Sequence, residues 1–318
     1  MPTLYNPFRK KGVFMIPAGG LGPSVSAAFS YAKSSYHQDE TDPTPTITGT
    51  TGGTFSATPS GLSINASTGT IDLSASTIQP YTITYTVDGV SANFSLGVTA
   101  SPFIANTFSM QFDGVDDYVF AGSMPDLNNV TQFSISGWYK FDNTSRLEVL
   151  CANGGSLGGN NYNFLLQHWP SNNVSAFIAS SLTDSGSNYV KTNNNFITST
   201  SEWYHITVVY DGSLSTNTDK AKIYVNGIDV TVNGAGTIAS STTNTSGSFN
   251  IGQWEGIGRY FDGKIDEVAI WNTALGETAI QEIYNATNNN TGKALDLSTD
   301  YNNYTSSSNL QYWNRLGD

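Results

Sequence analysis

The stretch Phe261-Asp262-Gly263-Lys264-Ile265-Asp266-Glu267-Val268-Ala269-Ile270-Trp271-Asn272 decides the fold. From Lys264 to Trp271 it is mostly apolar and rich in strand-forming residues, so it reads as a strand with much of its surface covered. One short helix follows, with Gly276 as N-cap, Leu275 and Ile280 placed as a hydrophobic staple, and Ile283 and Tyr284 continuing a buried stripe. Working back along the chain, Ile223 and Val225 lead into Asn226-Gly227, a two-residue hairpin turn, and on to Ile228-Asp229-Val230-Thr231-Val232. Tyr204, Ile206, Val208 and Tyr210 alternate along another strand, as do Phe133, Ile135 and Gly137. Strands in this pattern from Thr107 onward predict a large antiparallel sandwich closed by a single helix.

The 318 residues suffice for two domains and a tail. Charged residues make up only 12% and aromatics reach 12%, a balance that suits strands and turns and predicts an all-β protein. The net charge of −12 is unevenly held: residues 103–318 carry nine Lys and Arg against twenty Asp and Glu, residues 1–43 four against three. So acidic a large domain argues against nucleic acid as its partner. The single cysteine, Cys151, excludes an intrachain disulfide framework, and its setting in Val149-Leu150-Cys151-Ala152 reads as a buried, inert thiol. No segment has the length and apolarity of a membrane span, so no membrane partner is expected. After Arg9-Lys10-Lys11 the apolar run Val13-Phe14-Met15-Ile16 ends at Pro17, too short for a secretory leader, so none is expected.

Residues 1–43 mix bulky apolar side chains with turn-formers and the basic triplet, too greasy for a neutral linker and too short to fold alone. They read as an arm that folds against something else, with Tyr5, Phe8, Arg9, Lys10, Lys11, Phe14 and Phe29 as its docking side chains. Asp39-Glu40-Thr41-Asp42-Pro43-Thr44-Pro45 marks a boundary, and residues 44–102 read as a small β-domain. In it, Ile83, Tyr85 and Val87 alternate with Thr, Asp88-Gly89 offers a hairpin turn, and Phe94, Leu96 and Val98 alternate again. Gly61-Leu62-Ser63-Ile64-Asn65-Ala66-Ser67-Thr68-Gly69-Thr70-Ile71 resembles a signature of Ig-like and cadherin-like repeats in bacterial and phage surface proteins, which implies a small Ig-like sandwich. A sandwich this small needs support, from strands of the arm or from a neighbouring subunit.

Over residues 103–290 the chain resembles the laminin-G-like, concanavalin A-type lectin jelly rolls of bacterial surface proteins and marine phage structural proteins. The resemblance is carried, in family order, by Phe108–Gly114 with Asp117-Tyr118-Val119, Phe133–Lys140, Trp203–Ile206 through Tyr210-Asp211-Gly212, Lys222–Gly227, Ile251-Gly252-Gln253, Phe261–Asn272 and the closing helix. It implies a concanavalin-type antiparallel jelly roll with one short C-terminal helix. Gly276 and Ala279 depart from the Ser N-cap and acidic residue common in the family, which weakens the helix start. In the tail, 291–318, Trp313-Asn314-Arg315-Leu316-Gly317-Asp318 resembles a phrase that introduces a further module in related phage proteins. It either packs on the jelly roll or is the remnant of that module.

The same resemblance implies Ca²⁺ near the first and last strands, on Asp113 and Asp266 with Asp116 and Asp262 as neighbours; Asp113-Gly114 and Asp262-Gly263 read equally well as turns. A lectin-type site pairs an aromatic platform with amide and carboxylate groups, because a pyranose has one apolar face and a polar rim. Asn160, Asn161, Tyr162, His168, Trp169, Asn194, Trp254 and Glu255 are the candidates, and strand-end packing or solvated turns account for them equally well. No nucleophile, metal-ligand spacing or carboxylate pair accompanies His37, His168 or His205, so no enzyme is expected. The expected role is a phage virion structural protein, a tail-associated fibre or a head decoration or fibre protein. Its arm would dock on other virion proteins and its lectin-like domain would attach weakly and multivalently to cell-surface glycans, as a homo-oligomer on the virion surface. A bacterial surface adhesin or carbohydrate-binding protein at the cell surface is the alternative, and a cement protein without glycan activity the third reading.

Overall fold

The computed structural model describes residues 24–124, 127–154, 162–179, 188–245, 247–289 and 292–318. The docking residues Tyr5, Phe8, Arg9, Lys10, Lys11 and Phe14, and the sugar candidates Asn160 and Asn161, lie outside them. The chain divides into two units, residues 1–101 and 102–318.

In the small unit the strands run in the order Ser35–His37, Val90–Thr99, Gln79–Val87, Thr54–Thr58. The Gln79–Val87 and Val90–Thr99 strands form the expected hairpin, with Asp88 at φ 48° and Gly89 at φ 78° as its two turn residues. The unit begins earlier in the chain than residue 44. Ser35–His37 adds to the sheet edge in parallel with Gly97–Thr99, and Phe29–Ser30 pairs with Thr46–Ile47. Phe29, expected to be a docking side chain, packs edge-on against Phe55 at 5.5 Å and joins a core built on Tyr31, Tyr36, Phe55, Ile83 and Tyr85. Burial of those rings supplies apolar contact that a 59-residue sandwich would lack.

The large unit is a two-sheet antiparallel jelly roll. The first sheet runs Met110–Asp113, Asp262–Trp271, Gln132–Phe141, Tyr204–Asp211, Ala221–Val225, Ile228–Asp229, with Leu310–Asn314 also paired to Asp262–Trp271. The second runs Val119–Gly122, Phe249–Ile251, Glu148–Gly154, Tyr162–Trp169, Asn173–Ile178, Tyr189–Lys191, Val232–Ala235. Inward side chains from alternate positions, among them Phe133, Ile135, Phe164, Leu166, Ile206, Val208 and Phe249, form one core between the sheets. Cys151 is buried in it, and burial pushes its thiol up to about 12, as an inert structural cysteine requires. The outer face of the first sheet is covered by the Glu277–Asn288 helix, which starts after Gly276 and buries Ala279, Ile280, Ile283 and Ala286.

One irregularity decides which way the acidic residues of the Asp262–Trp271 strand point. Ser136 pairs with Ala269 and Trp138 with Asp266, so two residues, Glu267 and Val268, oppose Gly137 in a β-bulge. Glu267 takes φ 52°, rare for a residue with a side chain. The extra residue lets Ile265, Val268 and Ile270 all face the core, where strict alternation would have placed Glu267.

Candidate functional site

Of the four expected calcium ligands, Asp113 and Asp116 share one turn, Asp262 stands opposite Asp113, and Asp266 lies apart. Met110–Asp113 lies beside the last sheet strand with Asp113 directly opposite Asp262. The chain then turns through Gly114, and Asp113 Oδ1 accepts the Val115 N–H at 2.8 Å while Asp117 Oδ2 accepts the Asp113 N–H at 3.0 Å. That turn gathers the exposed carboxylates of Asp113, Asp116 and Asp117, whose oxygens lie within 4.8 Å of one another. The sequence pattern assigns Asp117 only to a strand motif; its place beside Asp116 is the available signal. Asp262 is engaged by the Arg146 guanidinium at 3.3 Å, and the same guanidinium donates to the Gly114 carbonyl at 2.8 Å. A Cβ at Gly114 would lie 2.5 Å from Arg146 and 2.8 Å from Asp262, so the arrangement needs glycine there.

Asp266 belongs elsewhere. It sits four residues further along the strand, about 13 Å at the usual strand rise. It is buried, and burial, with the neighbouring Glu267 charge, pushes its carboxyl up to about 7. The donor set that fits a hard cation is therefore Asp113, Asp116 and Asp117, oxygen ligands of the right kind, with the Gly114 carbonyl already taken by Arg146.

The sugar candidates also separate. His168 points between the sheets, is fully buried, and packs against Phe141 at 4.9 Å. Desolvation lowers it to about 4, so it is a neutral core residue and not a surface ligand. Opposite it in the strand pair stands Glu148, also fully buried, whose carboxyl burial raises to about 8. Tyr162 and Trp254 come together edge-to-face at 5.3 Å on the other side of the second sheet, but both are buried; Glu255 beside them is exposed. Trp169 and Asn194 are both exposed and are linked through Asn173. Trp169 ends its strand with 36% of its surface exposed and pairs directly with Asn173, whose amide donates to Asn194 Oδ1 at 3.3 Å. Asn172, in the same turn at φ 59°, holds a buried Oδ1 that accepts no hydrogen bond among the described residues.

His205 is buried beside Trp138 and Tyr284 and lowered to about 3 by desolvation, while His37 lies against Thr99 and the Ala100 carbonyl. Among the described residues no helix is long and apolar enough to cross a membrane.

Among solved structures, the chain is similar to a Bacteroides ovatus protein described as carbohydrate-binding, at 15% identity and TM-score 0.54 over 90% of this chain and 88% of that one. That likeness shows a shared fold. Weaker likenesses are to a heptameric pentraxin of Limulus polyphemus (15% identity, TM-score 0.42, covering 55% and 81%) and to a carbohydrate-binding module of a Ruminococcus gnavus sialidase (14%, 0.42, covering 56% and 97%). No curated protein matches the sequence. The family model of the concanavalin A-like lectin/glucanases superfamily matches residues 113–281, more than half of the chain and most of the jelly roll, and the chain belongs to that superfamily.

Proposed function

We propose that this chain is a non-enzymatic glycan-binding protein displayed on a virion, its jelly roll presenting Trp169 and nearby amide groups to surface glycans. The observation that carries the reading is the exposed Trp169 indole at the end of its strand, opposite Asn173, whose amide is bonded to the exposed Asn194: an aromatic surface with amide groups nearby, the combination a pyranose requires. A divalent cation on Asp113, Asp116 and Asp117 is part of the same proposal, as a local brace of the first strand's turn.

The test is a glycan array probed with the full chain coupled to beads at high valency, because single lectin sites of this kind bind weakly. Binding to a defined glycan class, lost in Trp169→Ala, supports the proposal; silence at high valency favours a cement role. The virion setting has its own test: deletion of residues 1–23 should abolish incorporation into particles, and normal incorporation of the shortened chain would remove it. Envelope association in uninfected cells would instead support the adhesin alternative.

A further inference from the structure

A cavity of about 380 Å³ opens on the outer face of the first sheet, beyond the C-terminal end of the Glu277–Asn288 helix. Trp138 and Trp203 line it together with Asn106, Ser109, Lys264 and Asp266. Of the residues expected to form a lectin or calcium site, Asp266 alone takes part.

The cavity is built and held in shape. Trp138 is fixed in a stack, 5.7 Å from Tyr284 of the helix and 5.0 Å from His205 of the neighbouring strand. The wall at residues 106–109 is tied at both sides: the Asn106 N–H donates to the Gly292 carbonyl at 2.8 Å, and the Thr107 N–H donates to Asp318 Oδ2 at 2.8 Å. Asp266 faces outward because the bulge at Glu267 separates it from the core-facing side chains. One of its oxygens accepts the Glu267 N–H at 2.8 Å, and the Asn106 side chain hydrogen-bonds to the carboxyl. The Asn106 Oδ1 is buried and accepts no hydrogen bond among the described residues. An acceptor left without a donor is unfavourable; a ligand hydroxyl or N–H group reaches this one when the Asn106 side chain turns into the cavity.

The geometry points to a second saccharide site in this cavity, taking a single neutral pyranose whose apolar face lies on Trp203 and whose hydroxyls donate to Asp266 and Asn106 Oδ1. Lys264, half-buried on the cavity wall, supplies a donor for the ring's remaining oxygens. The volume falls within the range of small-molecule sites and suits one ring rather than an extended chain. The site lies on the sheet opposite to that of Trp169, so it adds to the proposed function and does not depend on it.

Its test uses ¹H–¹⁵N spectra of the intact chain, in which each tryptophan indole N–H gives one signal, assigned by Trp203→Phe and Trp138→Phe. The probes are the methyl glycosides of glucose, galactose, mannose and N-acetylglucosamine, with glucuronate and glucosamine as charged controls, at high millimolar concentration. The expected result is a saturable shift of the Trp203 signal with at least one neutral glycoside. Asp266→Asn and Trp203→Ala should each weaken that titration roughly tenfold or more, as the loss of a charge-assisted hydrogen bond or an aromatic face implies. Trp169→Ala should leave it unchanged while weakening array binding. No shift with any neutral probe, a shift with the charged probes alone, or a titration unaltered by Asp266→Asn and Trp203→Ala overturns the inference. Loss of array binding in Trp169→Ala with no Trp203 shift would leave the proposed function standing and remove this site alone.

Discussion

The start and the middle of the Asp262–Trp271 strand carry acidic residues to opposite purposes. At its start, Asp262 is partly exposed and pairs with Arg146 beside the open carboxylates of Asp113, Asp116 and Asp117. Four and five residues on, Asp266 and Glu267 are buried, and the tail clasps Glu267. Trp313 donates its indole N–H to Glu267 Oε2 at 2.6 Å, and Arg315 bonds Glu267 at 3.3 Å and reaches the Ala105 carbonyl. Leu316 enters the core, and Asp318 accepts from the backbone of Thr107 and Phe108. Gly317, at φ 138°, passes so close to Phe108 that a Cβ would meet its Cβ at 2.9 Å. Every residue of the Trp-x-Arg-x-Gly-Asp phrase has a structural partner, so the tail packs on the jelly roll. Charge type along a strand therefore says little; what matters is which edge each residue meets and whether water reaches it.

Breaking the clasp should have the largest effect. Removing residues 310–318 deletes a strand ladder, empties the Leu316 site and leaves Glu267 buried without its donors. The expected loss is above ~4 kcal/mol in urea unfolding of the large unit. A truncated chain within about 1 kcal/mol of the parent would show that the bulge holds Glu267 unaided. Trp313→Phe isolates the single indole donor and should cost ~1–3 kcal/mol in the same measurement.

A pH series sharpens the contrast at the start of the strand, where Glu148 lies in the field of Asp262 and Arg146. Because its carboxyl is raised to about 8, the folded state keeps it protonated while the unfolded chain ionises near its ordinary value. Its contribution is complete at low pH and is lost as pH rises toward 8. His168 acts in the reverse sense: lowered to about 4, it loses its contribution as pH falls below its ordinary value toward 4. Between roughly pH 6.5 and 8 the Glu148 effect is the larger, worth about 2 kcal/mol. Glu148→Gln should flatten the melting curve above about pH 6.5 and, by leaving His168 unopposed, steepen its fall between about pH 6.5 and 4.5. A parallel decline in both proteins would assign the effect to another group.

The sandwich is legible in the sequence because its strands are long and alternate cleanly, and because Asp88-Gly89 and Asn226-Gly227 have one conformational reading. Phe29–Ser30 and Ser35–His37 are not legible: strands of two and three residues carry no period, and Ser35–His37 is held by a parallel pairing with a strand some sixty residues away. The candidate ligands are only partly brought together, for a different reason. Asp113 and Asp262 do stand together, but Asp266 follows Asp262 at a spacing that on a strand means distance, not convergence. His168 alternates inward with Phe164 and Leu166, which its strand pattern does announce. The outer cavity joins residues from Asn106 to Lys293, and no local motif encodes such a meeting.

The smallest effects belong to the exposed start of the strand and test whether it differs in kind from the clasped middle. Asp262→Asn removes a solvent-reached ion pair and should cost less than about 1 kcal/mol, where the same change at a buried carboxylate would cost several times more. Among the described residues, this turn is where calcium should act. With an affinity of ~1 mM, as open sites on extracellular modules have, about 2 mM Ca²⁺ would add roughly 0.6 kcal/mol, a rise of about 1–3 °C in a domain of this size. That rise should vanish in Asp116→Asn and Asp117→Asn and persist in Asp266→Asn, because only the first two remove a carboxylate from the open turn. A calcium response that instead required Asp266 would mean that the clasped middle opens in solution, and the separation of the two regions would fail with it.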